Sequence, residues 1–145
     1  MSIREELHID CSPATAFDLM ADVRKLPLWN EGASRAELKS DEPIGQGSRF
    51  IAVNRGQEME STITTFDRPN RLDFSTSGKL MDAAGAFHFA EAGAGTALVI
   101  ELDPHPKGVM KVLFPVLSPL IRRDLVKQHL KFKTFCESQS QPHGG

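Results

Sequence analysis

The chain has 145 residues, 40% hydrophobic and 25% charged, which is enough apolar surface for one core and too little length for two. Disorder along the whole chain is excluded on the same ground. A formal net charge of −2 excludes a broadly basic surface, so no nucleic-acid partner is expected. In chain order, Ile3, Glu5, Leu7, Ile9 and Cys11 alternate with Arg4, Glu6, His8 and Asp10, the two-residue period of a strand with one mostly apolar face. Ser12-Pro13 then opens a helix, serine as cap and proline in the first turn, with Ala14, Phe17, Leu19 and Met20 turned inward. Asp22 is a second cap candidate for a short helical turn that Pro27 is expected to end, followed by Leu28 and Trp29.

Turn-separated strands follow over 33–39, 48–54, 58–66, 71–75, 80–90 and 96–103. In the third of these, Met59, Ser61, Ile63 and Thr65 alternate with Glu60, Thr62 and Thr64. Seven strands at hairpin spacing predict an antiparallel sheet, since parallel neighbours would need crossover helices. Ser118-Pro119 repeats the helix-start signal. Leu120, Ile121, Leu125, Gln128, Phe132 and Phe135 then mark one face of a helix of about 19 residues. Such a helix spans roughly 28 Å and cannot cover a flat seven-stranded sheet, so the sheet must curl around it. A curled sheet gripping one helix leaves space for a pocket.

The stretch from Ile9 to Leu38, with Ser12-Pro13-Ala14, Leu19-Met20-Ala21-Asp22 and Leu26-Pro27-Leu28-Trp29, resembles the START-like helix-grip superfamily (SRPBCC), and within it the polyketide cyclase/dehydrase and lipid transport branch. The resemblance continues through residues 44–50, 67–72 and 93–96. It implies an α+β helix-grip fold: a curved antiparallel seven-stranded sheet wrapped around a long C-terminal helix, with two short helices after the first strand. It covers residues 1–137 as a single domain and leaves 138–145 as a flexible tail. It does not fix function, because the family includes binders, transporters and cyclases.

Three functions are carried forward. The first is binding or carriage of a small hydrophobic ligand. Its lining is drawn from Trp29, Phe50, Met59, Ile63, Phe74, Met81, Phe87, Phe114, Leu117 and Ile121. Trp29 can serve as cavity wall, as core anchor, or as both. The second is a cyclase/dehydrase-type enzyme, which needs one acid–base group near an enolisable carbon. His88, Glu5 and Arg49 are the candidates. His88 lies between Phe87 and Phe89 and points opposite to both, so it meets either water or the cavity. Glu5 shares the apolar face of its strand and is either solvated near the strand's start or buried. The absence of Tyr removes one common proton donor. The third is a protein-interaction module using Arg122, Arg123 and Lys127 on the basic side of the last helix, a side otherwise read as solvated.

No cofactor is expected. The five histidines show no close metal-ligand spacing, His143 belongs to the tail, and no metal site is expected. Gly45 and Gly47 open a strand rather than a phosphate loop. Cys11 and Cys136 form no motif and read as reduced, buried thiols. No run reaches the roughly 18 to 20 apolar residues of a membrane span, and the start lacks a signal-peptide core. Stable membrane insertion is therefore not expected, and the cytoplasm is the expected location. Monomer and homodimer remain open.

Overall fold

A computed structural model describes residues 2–140. The first strand, β1 (Ile3–Ile9), keeps the expected alternation, with Ile3 and Ile9 buried. Ser12 caps α1 (Pro13–Ala21) by accepting from the Thr15 N–H at 3.2 Å, and Pro13 occupies the first turn. Asp22 caps a 3₁₀ turn (Val23–Lys25) through the Arg24 N–H. That turn leads directly into α2 (Leu26–Trp29). Pro27 therefore does not end the helical turn. It sits in the first turn of α2, where its missing N–H would have had no partner.

Six strands then form a meander: β2 (Ala33–Leu38), β3 (Arg49–Asn54), β4 (Gln57–Asp67), β5 (Arg71–Gly78), β6 (Met81–Ala92) and β7 (Gly95–Pro106). The sheet order is β1-β7-β6-β5-β4-β3-β2, antiparallel throughout. β3 and β4 are joined by Arg55 and Gly56, both with positive φ (52° and 78°), the backbone of a tight hairpin turn.

β1 and β2 are the two edges of the sheet, so the helical link between them crosses its concave face. α1 lies over β5, β6 and β7, and the 3₁₀ turn over β2 and β3. Phe17 of α1 meets Phe66 and Phe89 edge-on, at 5.0 and 5.5 Å between centroids. Phe66 faces inward because β4 carries a bulge. Ile63 pairs with Phe74 and Thr65 with Asp73, leaving Thr64 as an extra residue. The bulge reverses the phase, so Phe66 takes the inward place that simple alternation assigns to Thr65. It also bends the strand and helps the sheet curl.

The last helix, α3 (Met110–Ser140), starts eight residues before the Ser118-Pro119 signal. Pro115 and Pro119 lie inside it, and both are exposed. Each removes one helical N–H. Pro119 leaves the Pro115 carbonyl without its helical donor, and the Ser118 hydroxyl donates to that carbonyl at 3.4 Å. The loss thus falls on the outer face, where water and a hydroxyl take it up. The inward stripe is Ile121, Leu125, Gln128, Phe132 and Cys136, of which the last three are buried, while Leu120 is 60% exposed. The helix runs through Ser140, past the expected start of the tail. Residues 141–145, with His143, lie outside the described residues.

α3 packs on β1, β7, α1 and α2. It leans toward one edge of the sheet, and its first turns stand off from the middle strands. No helix among the described residues is long and apolar enough to cross a membrane.

Candidate functional site

Two spaces open on the concave side of the sheet. An inner cavity of about 180 Å³ lies between the helical link and strands β4 to β7. Met20, Leu26 and Trp29 form its roof, and Phe74, Phe87 and Leu102 its walls. Ser61, Thr76, Ala83 and Gly85 are its floor. Ser61 pairs with Thr76 and Thr76 with Ala83 across three strands, so small side chains stand in one row. The Ser61 and Thr76 hydroxyls hydrogen-bond each other at 2.9 Å. Trp29 is held from behind by Phe132 of α3, edge-on at 5.1 Å.

A wider cleft of about 570 Å³ lies between the first turns of α3 and the ends of the β3–β4 and β5–β6 hairpins. Met59, Leu80, Met81, Met110, Ile121 and Leu125 supply most of its apolar surface, and Leu120 stands at its edge. Its rim is polar. Arg55, in the hairpin turn, reaches Asp124 of α3 at 2.7 Å. Gln128 donates to the same carboxylate oxygen at 3.3 Å and accepts from the Glu31 N–H at 3.1 Å. The rim therefore ties a hairpin tip, α3 and the end of the helical link together.

The two spaces share the same face of the same strands. On β4, Met59 belongs to the cleft and Ser61, two residues on, to the cavity. On β6 the same holds for Met81 and Ala83.

Of the lining residues expected from sequence, Trp29, Phe74 and Phe87 meet in the inner cavity, and Met59, Met81 and Ile121 meet in the cleft. Phe50 and Ile63 are fully buried in the core, outside both linings. Phe114 is buried and Leu117 half-buried on α3, and neither lines either space. Met20, Leu102 and the small floor residues were not foreseen. Leu102 continues the inward phase of Leu98 and Ile100, a signal readable in the sequence.

The catalytic candidates are scattered. Phe87 and Phe89 are buried, which turns His88 to the outer face, 3.1 Å from Glu101. Arg49 is exposed and lies 3.7 Å from Glu60. Glu5 is not solvated: its side chain is 11% exposed and hydrogen-bonds Nδ1 of His129 at 2.7 Å, whose own side chain is 8% exposed. This pair joins β1 to α3 and lies outside both linings. His129 gives no signal in sequence, since it stands 124 residues from its partner.

Asp22 is the one acid in the inner lining. Burial pushes its carboxyl up, but hydrogen bonds and charge from Arg24 outweigh that and hold it below the usual aspartate range. Cys11 and Cys136, at opposite ends of the chain, are both free and buried, and burial pushes both thiols upward. No group of three or more His, Cys, Asp or Glu side chains is arranged to hold a metal among the described residues.

Residues 1–137 match the family model described as polyketide cyclase / dehydrase and lipid transport. No curated protein sequence matches the chain. Among solved structures, the Zhui aromatase/cyclase from Streptomyces sp. R1128 superposes with a TM-score of 0.81 at 14% identity, over 100% of this chain and 98% of that one. A START superfamily protein from Mycobacterium smegmatis gives 0.73 at 14% identity, over 96% of each chain. TTHA0849 from Thermus thermophilus gives 0.74 at 20% identity, over 97% of this chain and 100% of that one. At these identities the likeness is one of fold.

Proposed function

We propose that this chain, which belongs to the polyketide cyclase/dehydrase and lipid transport family, binds and carries a small hydrophobic or amphipathic ligand. The ligand's apolar body lies in the inner cavity and its other end extends into the cleft. Family and fold fit a hydrophobic ligand-binding protein; carriage is our reading. One observation carries it: the inner cavity is apolar, adjoins the open cleft, and is left unfilled by a row of small side chains. At about 24 cal/mol per Å³, a dry void of 180 Å³ would cost about 4 kcal/mol. That is a large part of the stability of an ordinary domain. The space is therefore occupied by water or by a ligand, and the Ser61–Thr76 hydroxyls offer a ligand's body one polar contact. Within this reading the protein works in the cytoplasm as a monomer or homodimer.

A cyclase reading is the alternative, and the aromatase/cyclase among its structural neighbours is its support. The three acid–base candidates lie off the cavity wall, which favours carriage. Trp29 is the only tryptophan and lines the cavity, so its fluorescence reports occupancy. Titration with a fatty acid, a sterol and an aromatic polyketide, read by Trp29 emission and by thermal shift, is expected to give saturable binding to at least one. No response from any of the three, with a crystal structure showing the cavity filled by side chains, would sink the proposal.

A further inference from the structure

The first turns of α3 expose more apolar surface than the fold requires. Val112, Val116 and Leu120 are 74%, 75% and 60% exposed, and Val109, just before the helix, is 62% exposed. Spaced four residues apart, the three helical residues form one outward stripe, roughly 17 Å long from Val109 to Leu120. Single exposed aliphatic residues are ordinary, but a contiguous stripe marks a contact surface.

Charge singles out the same face. Most of the chain's 17 Lys and Arg residues are held by a carboxylate. Lys107 beside the stripe, for example, is paired with Asp82. Lys79, Lys111 and Arg123 have no carboxylate partner among the described residues. Lys79 stands in the β5–β6 turn next to half-exposed Leu80, at the cleft. Lys111 lies in the first turn of α3, and Arg123 follows Leu120 on the outward stripe. No Asp or Glu occurs between Asp103 and Asp124. Uncompensated positive charge thus borders exposed aliphatic surface at the edge of the cleft.

We propose that this face docks the protein reversibly on an anionic lipid surface, with the valine–leucine stripe in the interface and the cleft opening beside it. The stripe projects from a convex helix rather than forming a groove, which suits a soft lipid interface better than a complementary protein surface. A second copy of the chain would bring two uncompensated basic rims together. A bilayer of anionic lipid meets both the apolar and the basic component. The inference deepens the carrier reading and rests on it only for its purpose, because docking is measured without cargo.

The test is flotation of the full-length protein with vesicles of phosphatidylcholine plus phosphatidylglycerol, and of phosphatidylcholine alone. The expected result is binding to the anionic vesicles, weakened by salt, and little binding to the neutral ones. Each base near such a surface contributes roughly fivefold, so K111E combined with R123E weakens binding roughly 30-fold or more. Val112→Thr and Val116→Thr together abolish flotation while leaving the melting temperature near that of the parent, because these side chains are already in water and lie outside both linings. Failure of the parent to float with anionic vesicles overturns the proposal. So does equal flotation of the charge-reversed variant, or a dimer in sedimentation that the stripe variant dissociates. A parent protein that gives the Trp29 response but does not float would sink the docking face alone. The reverse result would sink the ligand site alone.

Discussion

Ala83→Leu is expected to stabilise the protein and displace its ligand, an unusual sign for an enlargement inside a domain. Ala83 stands on the floor of the inner cavity, with Thr76 and Pro104 as cross-strand neighbours. Leucine adds three carbons pointing into a space of about 180 Å³. At about 0.8 kcal/mol per buried methylene, the gain is about 2 kcal/mol. Freezing the leucine rotamers costs about 0.5–1 kcal/mol. Ala83 is only half-buried, which reduces the gain further. The net effect is about 1 kcal/mol of stabilisation without ligand, or a rise of about 3 °C in melting temperature. Urea denaturation gives the first quantity, and titration followed at Trp29 gives the loss of binding. If the space were already filled, the same change would overpack it and cost about 1–3 kcal/mol. A destabilised variant therefore refutes the cavity. A stabilised variant that binds as well as the parent refutes its use.

The remaining predictions concern contacts around the site. Gly85→Ala puts a Cβ 3.1 Å from a Leu102 methyl and 3.4 Å from the Phe87 ring. It should cost up to about 1 kcal/mol by urea denaturation, opposite in sign to Ala83→Leu. Glu5→Leu strands the buried His129 imidazole and costs about 1–3 kcal/mol, whereas Glu5→Gln keeps a hydrogen-bond acceptor and costs less. Asp22 is held below its usual range in the folded state. Its stabilising contribution is therefore complete above the ordinary value of about 3.9 and disappears as pH falls through the lower folded value. The stability gap between the parent and Asp22→Asn, followed by melting, narrows below about pH 4. Burial pushes the Cys11 and Cys136 thiols upward, so at neutral pH both should resist a thiol reagent until the chain unfolds. Rapid labelling of the native protein would contradict that.

Local signals carried the architecture because the elements were built from local physics. Ser12-Pro13 starts a helix by capping chemistry wherever it occurs, and β1 alternates because one of its faces is buried. The same locality explains the failures. Ser118-Pro119 read as a helix start, yet α3 begins eight residues earlier, because its exposed side tolerates the hydrogen bonds that Pro115 and Pro119 remove, and Ser118 takes over one of them. Two-residue alternation was right along β4 up to Ile63. Beyond it the bulge at Thr64 reversed the phase, and no residue type there announces a bulge. Glu5 was readable as an acid on an apolar face. That it is buried rather than frayed depends on His129, which only the packing of α3 against β1 brings near.

The cavity is the clearest case of a property that belongs to register rather than to any strand. Along β6 the inward residues run Phe89, Phe87, Gly85, Ala83, Met81; along β5 they run Leu72, Phe74, Thr76, Gly78. Each sequence is an ordinary half-buried strand. Pairing sets Leu72 beside Phe87 and Ile100, a row of large groups under the Phe17 cluster. Two residues on, Phe74 faces Gly85, which faces Leu102, so a large group stands on each side of a glycine. Two further on, Ser61, Thr76 and Ala83 align and nothing large remains. The concave face thus passes from close-packed to empty over about four residues, roughly 13 Å of strand. A one-residue slip of β5 against β6 would turn its inward set outward and erase the gradient. The nine phenylalanines do not simply line the interior. Phe17, Phe66 and Phe89 close one end of it, and the small residues beyond Phe74 and Phe87 leave the rest open toward the cleft and the exposed stripe of α3.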